Sequence, residues 1–124
     1  DPEFWLKNHM GRFAGTNIFT PECWQEYLDG VSDPACLHAM CEDYRAAASI
    51  DLIDDQVDRD RQHQLAMPVH ILWGEHGLIH QCFNPLKDWA EVAQTVSGHA
   101  VPSGHYIPEE IPDVLLHEAK EFFQ

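Results

Sequence analysis

Basic residues are scarce in this 124-residue chain: Lys and Arg together number 7 against 21 Asp and Glu, for a formal net charge of -14. A surface this acidic repels phosphate backbones and anionic headgroups, so neither nucleic acid nor a membrane surface is an expected partner. No stretch approaches the about 18 consecutive apolar residues that a membrane span requires. The opening residues, DPEFWLKNHM, carry Asp, Glu and Lys in place of a signal-peptide core. The expectation is a soluble, cytoplasmic protein. Cys23, Cys36, Cys41 and Cys82 include no C-x-x-C pair and no zinc-ribbon spacing, which predicts buried free thiols in a reducing compartment. An initiator methionine is also lacking, and the chain starts at helix pitch, as though a preceding segment were missing.

Recognisable catalytic signatures are missing too. There is no G-x-S-x-G, no glycine-rich phosphate loop and no Cys/His catalytic grouping. His76 and His80 are four residues apart, but Gly77 between them argues against helical pitch and there is no H-E-x-x-H, so no metal site is expected. A complete active site is not visible.

What is present reads as one domain's worth of chain in two grammars. The first is helical. Phe4, Trp5, Met10 and Phe13 recur at near-helical spacing, and Thr20 followed by Pro21 marks the start of a second helix with Trp24, Tyr27 and Leu28 on one face. Asp33 and Pro34 repeat that start signal for a third, with Leu37, Met40, Cys41 and Tyr44 at i, i+3, i+4 and i+7. DLIDDQVDRDR has only Leu52, Ile53 and Val57 to bury and reads as a solvated surface helix. From MPVHILWG onward the pattern changes: a strand entered by Pro68 and closed by Gly74, a helix in PLKDWAEVAQ, a strand over 96–101, and a terminal helix in PEEIPDVLLHEAKEFF. Strand, helix, strand, helix with short connections demands a parallel sheet. Two strands are too few to cover one, so the chain reads as the last edge of an α/β fold preceded by a helical insertion. Trp24, Trp73 and Trp89 are expected in the core.

In open parallel sheets, reactive groups collect beyond the carboxyl ends of the strands. A strand over 96–101 places Ser103, Gly104 and His105 there. His105 is either a general base presented by a tight Ser-Gly turn or a solvent-exposed loop histidine. Tyr44, on the apolar face of the third helix, is expected to be a buried phenol bonded to a backbone carbonyl or, alternatively, to a ligand.

Four stretches taken in order, MCEDYRAAASIDL, LWGEHG, NPLKDWAEVA and SGHYIPEEIPDVLLHEAKEFF, resemble the carboxyl-terminal half of the haloacetate (fluoroacetate) dehalogenases of the α/β-hydrolase superfamily. The resemblance covers nearly the whole chain. C-E-D-Y-R-A followed by S-G-H-aromatic-x-P-E-E is its most specific part, and DPEFWLKNHMGRF resembles the family's cap region. It implies a helical cap portion over residues 1–50, a connector helix over 51–67 and the carboxyl-terminal part of the hydrolase core over 68–124. The implied parent enzyme is a hydrolase acting on carbon–halide bonds, turning a haloacetate and water into glycolate, halide and a proton through an aspartyl ester. Neither metal nor organic cofactor is implied. His105 matches the family's water-activating histidine, and Tyr44 matches a cap tyrosine that donates to the departing halide.

The acidic partner of the histidine often stands at Gly-x-x-Asp after this strand, where the present chain has Gly77. These dehalogenases take their acid from an earlier strand, and Glu75 is the only nearby substitute. Phe13 stands where the family often has tryptophan. The nucleophile, the substrate-binding arginines, the oxyanion-hole loop and the cap's His-Trp pair are expected upstream of residue 1, so that this chain alone is inactive. The expected partner is a small haloacid, with room for a homodimer. Another capped α/β-hydrolase such as an epoxide hydrolase, or a non-catalytic hydrolase relic acting as a binding domain, is the alternative.

Overall fold

Proline sets the helix starts. In the computed structural model, which describes residues 1–124 except for the side chains of residues 13 and 14, Pro2, Pro21, Pro34, Pro85 and Pro112 each open a helix. The ring fixes φ near the helical value, and the missing N–H is one that the first turn could not pair anyway. Phe13, noted above for its place in the cap, has its side chain outside the described residues.

Two compact units divide the chain, Asp1–His63 and Gln64–Gln124. The first holds α1 (Pro2–Ala14), α2 (Pro21–Ser32), α3 (Pro34–Ala47) and α4 (Ile50–Asp60), each in contact with the next. Their starts are capped by side chains. The Asp1 carboxylate accepts from the Phe4 N–H at 3.1 Å, the Thr20 hydroxyl from Cys23 at 3.2 Å and the Asp33 carboxylate from Ala35 at 2.8 Å. Leu6, Met10, Phe19 and Val31 are buried here. The Phe19 ring lies 5.7 Å from both Trp24 and Tyr27, separations at which tilted and edge-on aromatic pairs are favourable.

That small core leaves α3 and α4 with no buried residue. The stripe of Leu37, Met40, Cys41 and Tyr44 has the expected spacing but is exposed. A unit this short has too much surface for its volume to cover every apolar face. The cysteines are unbridged, but Cys36, Cys41 and Cys82 are exposed and Cys23 is half-buried, contrary to the expected buried thiols.

The second unit is built on β1 (Val69–Gly74) and β2 (Val96–Val101), paired in parallel with Val69 opposite Val96 and Gly74 opposite Val101. Between them run α5 (Leu78–Cys82) and α6 (Pro85–Trp89), and after β2 come α7 (Ile107–Glu110) and α8 (Pro112–Phe122). At Gly98, φ is +142° and a Cβ would lie 2.0 Å from the Ile71 carbonyl oxygen, so only glycine allows the strands to meet there.

Three sequence expectations need correction in this unit. The helix expected through PLKDWAEVAQ stops at Trp89, because Val92 and Gln94 exchange backbone hydrogen bonds with Leu65 at 2.8 and 3.0 Å and Ala93 forms an isolated parallel bridge to it. The terminal helix is broken at Ile111, whose φ of -141° and ψ of 56° precede Pro112, since the proline ring disfavours helical geometry in the residue before it. Finally, Trp89 is exposed and Trp73 half-buried, as is Trp24 in the first unit. No helix among the described residues is long and apolar enough to cross a membrane.

Candidate active site

The loop after β2 is held by a carboxylate that the sequence reading overlooked. Glu110, at the end of α7, accepts from the Gly104 N–H at 2.7 Å and from the Tyr106 N–H at 3.0 Å. One side chain thus bonds the backbone on both sides of His105. Bonds from neutral amides to a carboxylate are stronger than neutral pairs, and two from one group fix orientation as well as position. The Glu110 N–H in turn donates to the Tyr106 carbonyl at 2.9 Å, closing the short helix on the same loop. The signal was available in the second glutamate of the P-E-E that follows the histidine, but its role depends on a chain reversal that spacing does not reveal.

Below His105 the loop is anchored to the exit of β1. Ser103 is buried, its N–H donates to Val101 at 2.7 Å, and its carbonyl accepts from the His76 N–H at 3.0 Å. The Glu75 N–H donates to the Val101 carbonyl at 2.9 Å. This close approach explains Gly74. A Cβ there would lie 1.8 Å from the Gly104 carbonyl oxygen and 2.6 Å from that of Ser103, so any larger residue drives the loop away.

His105 is exposed at the carboxyl end of the parallel pair, with its ring edge-on to Tyr106 at 5.0 Å between centroids. A solvent-facing imidazole on a rigid backbone can accept a proton from water or from a ligand approaching from that end. Glu75, the substitute acid considered from sequence, has its carboxylate 3.5 Å from His76 Nε2. His80 lies within α5, and its Nδ1 accepts from the Trp73 indole N–H at 3.1 Å, while His76 sits outside that helix. The two histidines do not share a helical face.

Tyr44 lies in the other unit, on α3, and is 70% exposed rather than buried. Its neighbours Glu42 and Arg45 form an ion pair along the helix. The phenol therefore stands out from a charged helix surface, available as a donor to a ligand. Tyr44 and His105 belong to separate compact units of the chain.

The two parallel strands with their helices, preceded by the helical segments, make the carboxyl-terminal part of an α/β-hydrolase fold with cap segments before it. The comparison with solved structures defines that class: a protein from Nostoc sp PCC 7120 described as an alpha/beta hydrolase superposes with a TM-score of 0.93 at 38% identity, over 100% of this chain and 42% of that one. Among curated proteins, the chain is 34% identical over 109 residues to the fluoroacetate dehalogenase of Burkholderia sp, a match covering 88% of this chain. It is 32% identical over 108 residues, or 86% of this chain, to the soluble epoxide hydrolase of Corynebacterium sp. (strain C12). The chain spans 35% of the length of each of these curated relatives. No family model matches it.

Proposed function

We propose that this chain is the cap-side and carboxyl-terminal portion of a haloacetate dehalogenase-like hydrolase. The observation that carries the reading is the histidine loop: an exposed imidazole beyond a parallel strand, with the backbone on either side tied to one carboxylate. The similarity to a fluoroacetate dehalogenase supports the choice of reaction. In the proposed cycle an aspartate supplied outside these 124 residues displaces halide from a haloacetate and becomes its ester. His105 then removes a proton from water, the hydroxide attacks the ester carbonyl, and glycolate leaves as the aspartate is regenerated. The net reaction is haloacetate plus water to glycolate, halide and a proton. Tyr44 donates to the halide as charge grows on it, which favours the transition state over the bound substrate. The chain alone, without a nucleophile, is expected to be inactive.

A second reading is favoured by the epoxide hydrolase similarity. With the same histidine, a cap tyrosine would polarise an epoxide oxygen and the product would be a diol. The assay is halide release from fluoroacetate and chloroacetate, beside diol formation from a simple epoxide. It is run on the chain joined to an amino-terminal segment that bears the nucleophile. Halide release abolished by His105→Ala and reduced by Tyr44→Phe supports the dehalogenase. Diol formation without halide release transfers the assignment to an epoxide hydrolase, and neither activity removes both.

A further inference from the structure

We propose that His70, His99 and Glu118 form a binding site for one divalent transition-metal ion of the zinc type, tying β1, β2 and α8 together. The three offer one nitrogen, one nitrogen and one oxygen within 4.8 Å of one another. Strand register brings the histidines together: His70 pairs with Ser97, so His99, two residues further on, projects from the same face, with the rings 6.1 Å apart. Glu118 reaches them from α8, with Oε2 3.4 Å from His70 Nε2 and Oε1 3.5 Å from His99 Nε2. Those separations are long for hydrogen bonds. The two contacts fall on different oxygens of the one carboxylate, each near the about 3.4 Å edge of a tetrahedron with metal–ligand bonds of about 2.0–2.1 Å, so a single ion draws the histidines onto one oxygen or takes both.

The state of His70 points the same way. Its Nδ1 lies 2.8 Å from the Ser97 hydroxyl, while its Nε2 is buried without a hydrogen-bond partner and faces the Glu118 carboxylate. Nε2 and the Glu118 carboxylate thus face each other without a hydrogen bond between them, and a cation bound to both would fill that gap. A ligating imidazole whose other nitrogen is held by a hydrogen bond is the usual support for such a site. Phe122 stacks on the His70 ring at 5.3 Å and shields that side, and His99, 53% exposed, leaves an entry path. Two imidazoles and a carboxylate suit zinc, cobalt, nickel or copper rather than magnesium or calcium. Three protein ligands leave the fourth position to water. The cluster uses none of the residues assigned to the proposed hydrolysis, so the two readings stand or fall separately.

The test is a titration of the chelator-stripped full chain with Zn(II) against a chromophoric competitor, and with Co(II) by visible spectroscopy. One Zn(II) per chain, an intense tetrahedral Co(II) spectrum and a rise in melting temperature with zinc are expected. His99→Ala and Glu118→Gln, at partly exposed positions, should each weaken binding at least tenfold with an unchanged far-ultraviolet circular dichroism spectrum. His63→Gln, which removes the exposed imidazole 3.0 Å from Asp58, should leave it unchanged. Absence of binding, or equal binding by wild type and Glu118→Gln, overturns the site. So does a Glu118→Gln effect on melting that is independent of added metal, since the cluster is then a proton-linked pair only.

Discussion

Replacing Glu110 by glutamine removes the charge but little of the volume, and so tests the clamp on the His105 loop. The amide keeps one oxygen to accept from Gly104 or Tyr106 and turns an NH2 toward the other, losing one of the bonds at 2.7 and 3.0 Å and weakening its companion. A hydrogen bond to a charged group contributes about 1.5–3 kcal/mol. Both amides are only partly buried, so water recovers part of the loss and the net cost is about 1–2 kcal/mol. In a unit of this size that lowers the melting temperature by roughly 5–15 °C. The sharper readout is amide hydrogen exchange, in which Gly104 and Tyr106 should exchange roughly 5–30 times faster. Glu121→Gln, at an exposed position of α8, serves as the control. Unchanged exchange at Gly104 and Tyr106 refutes the clamp. Equal acceleration at every β1 and β2 amide also refutes it, because the glutamate is then stabilising the unit generally rather than holding the loop.

Gly74→Ala sets a Cβ against two loop carbonyls and should cost about 3 kcal/mol or more, seen in urea unfolding followed by tryptophan fluorescence; a loss below about 1 kcal/mol means the loop yields freely. Leu6→Ala removes a side chain that is 2% exposed and should destabilise the helical unit by about 2–5 kcal/mol, whereas Thr20→Ala removes one cap bond and should cost about 1 kcal/mol. Circular dichroism melts that reverse this order contradict the placement of the core around Leu6.

Helix starts were legible in the sequence because their chemistry is local. Thr20 with Pro21 and Asp33 with Pro34 carry the capping oxygen and the fixed φ within a few residues of each other. The two strands and their parallel pairing were legible for a similar reason, being short apolar runs separated by too much chain for a hairpin. What was missed depended on partners distant in sequence. The shortened α6 follows from bonds to Leu65, and the role of Glu110 from a reversal of the chain. The grouping of His70, His99 and Glu118 requires strand register and a helix placed over it. The break before Pro112 is local, since a proline disfavours helical geometry in the residue before it. Tyr44 shows the limit of periodicity itself: the spacing was right, but spacing identifies a face without saying whether anything covers it. Placing His105 beyond a strand end required no long-range knowledge, because the strand and the turn are adjacent in sequence.

The solvent-facing leucines, isoleucines and aromatics of α3, α4 and the second unit have a colloidal consequence. Chains carrying so much adhesive surface are kept apart by long-range repulsion, which here comes from an excess of carboxylates. Approaching the isoelectric point near pH 4.7 removes that repulsion, and concentrated salt shortens its reach, while the adhesive patches stay as they are. Dispersion of the isolated chain is therefore expected to depend on its ionic surroundings as much as on its fold, with clusters rather than single molecules the expected outcome of purification at low pH or high salt.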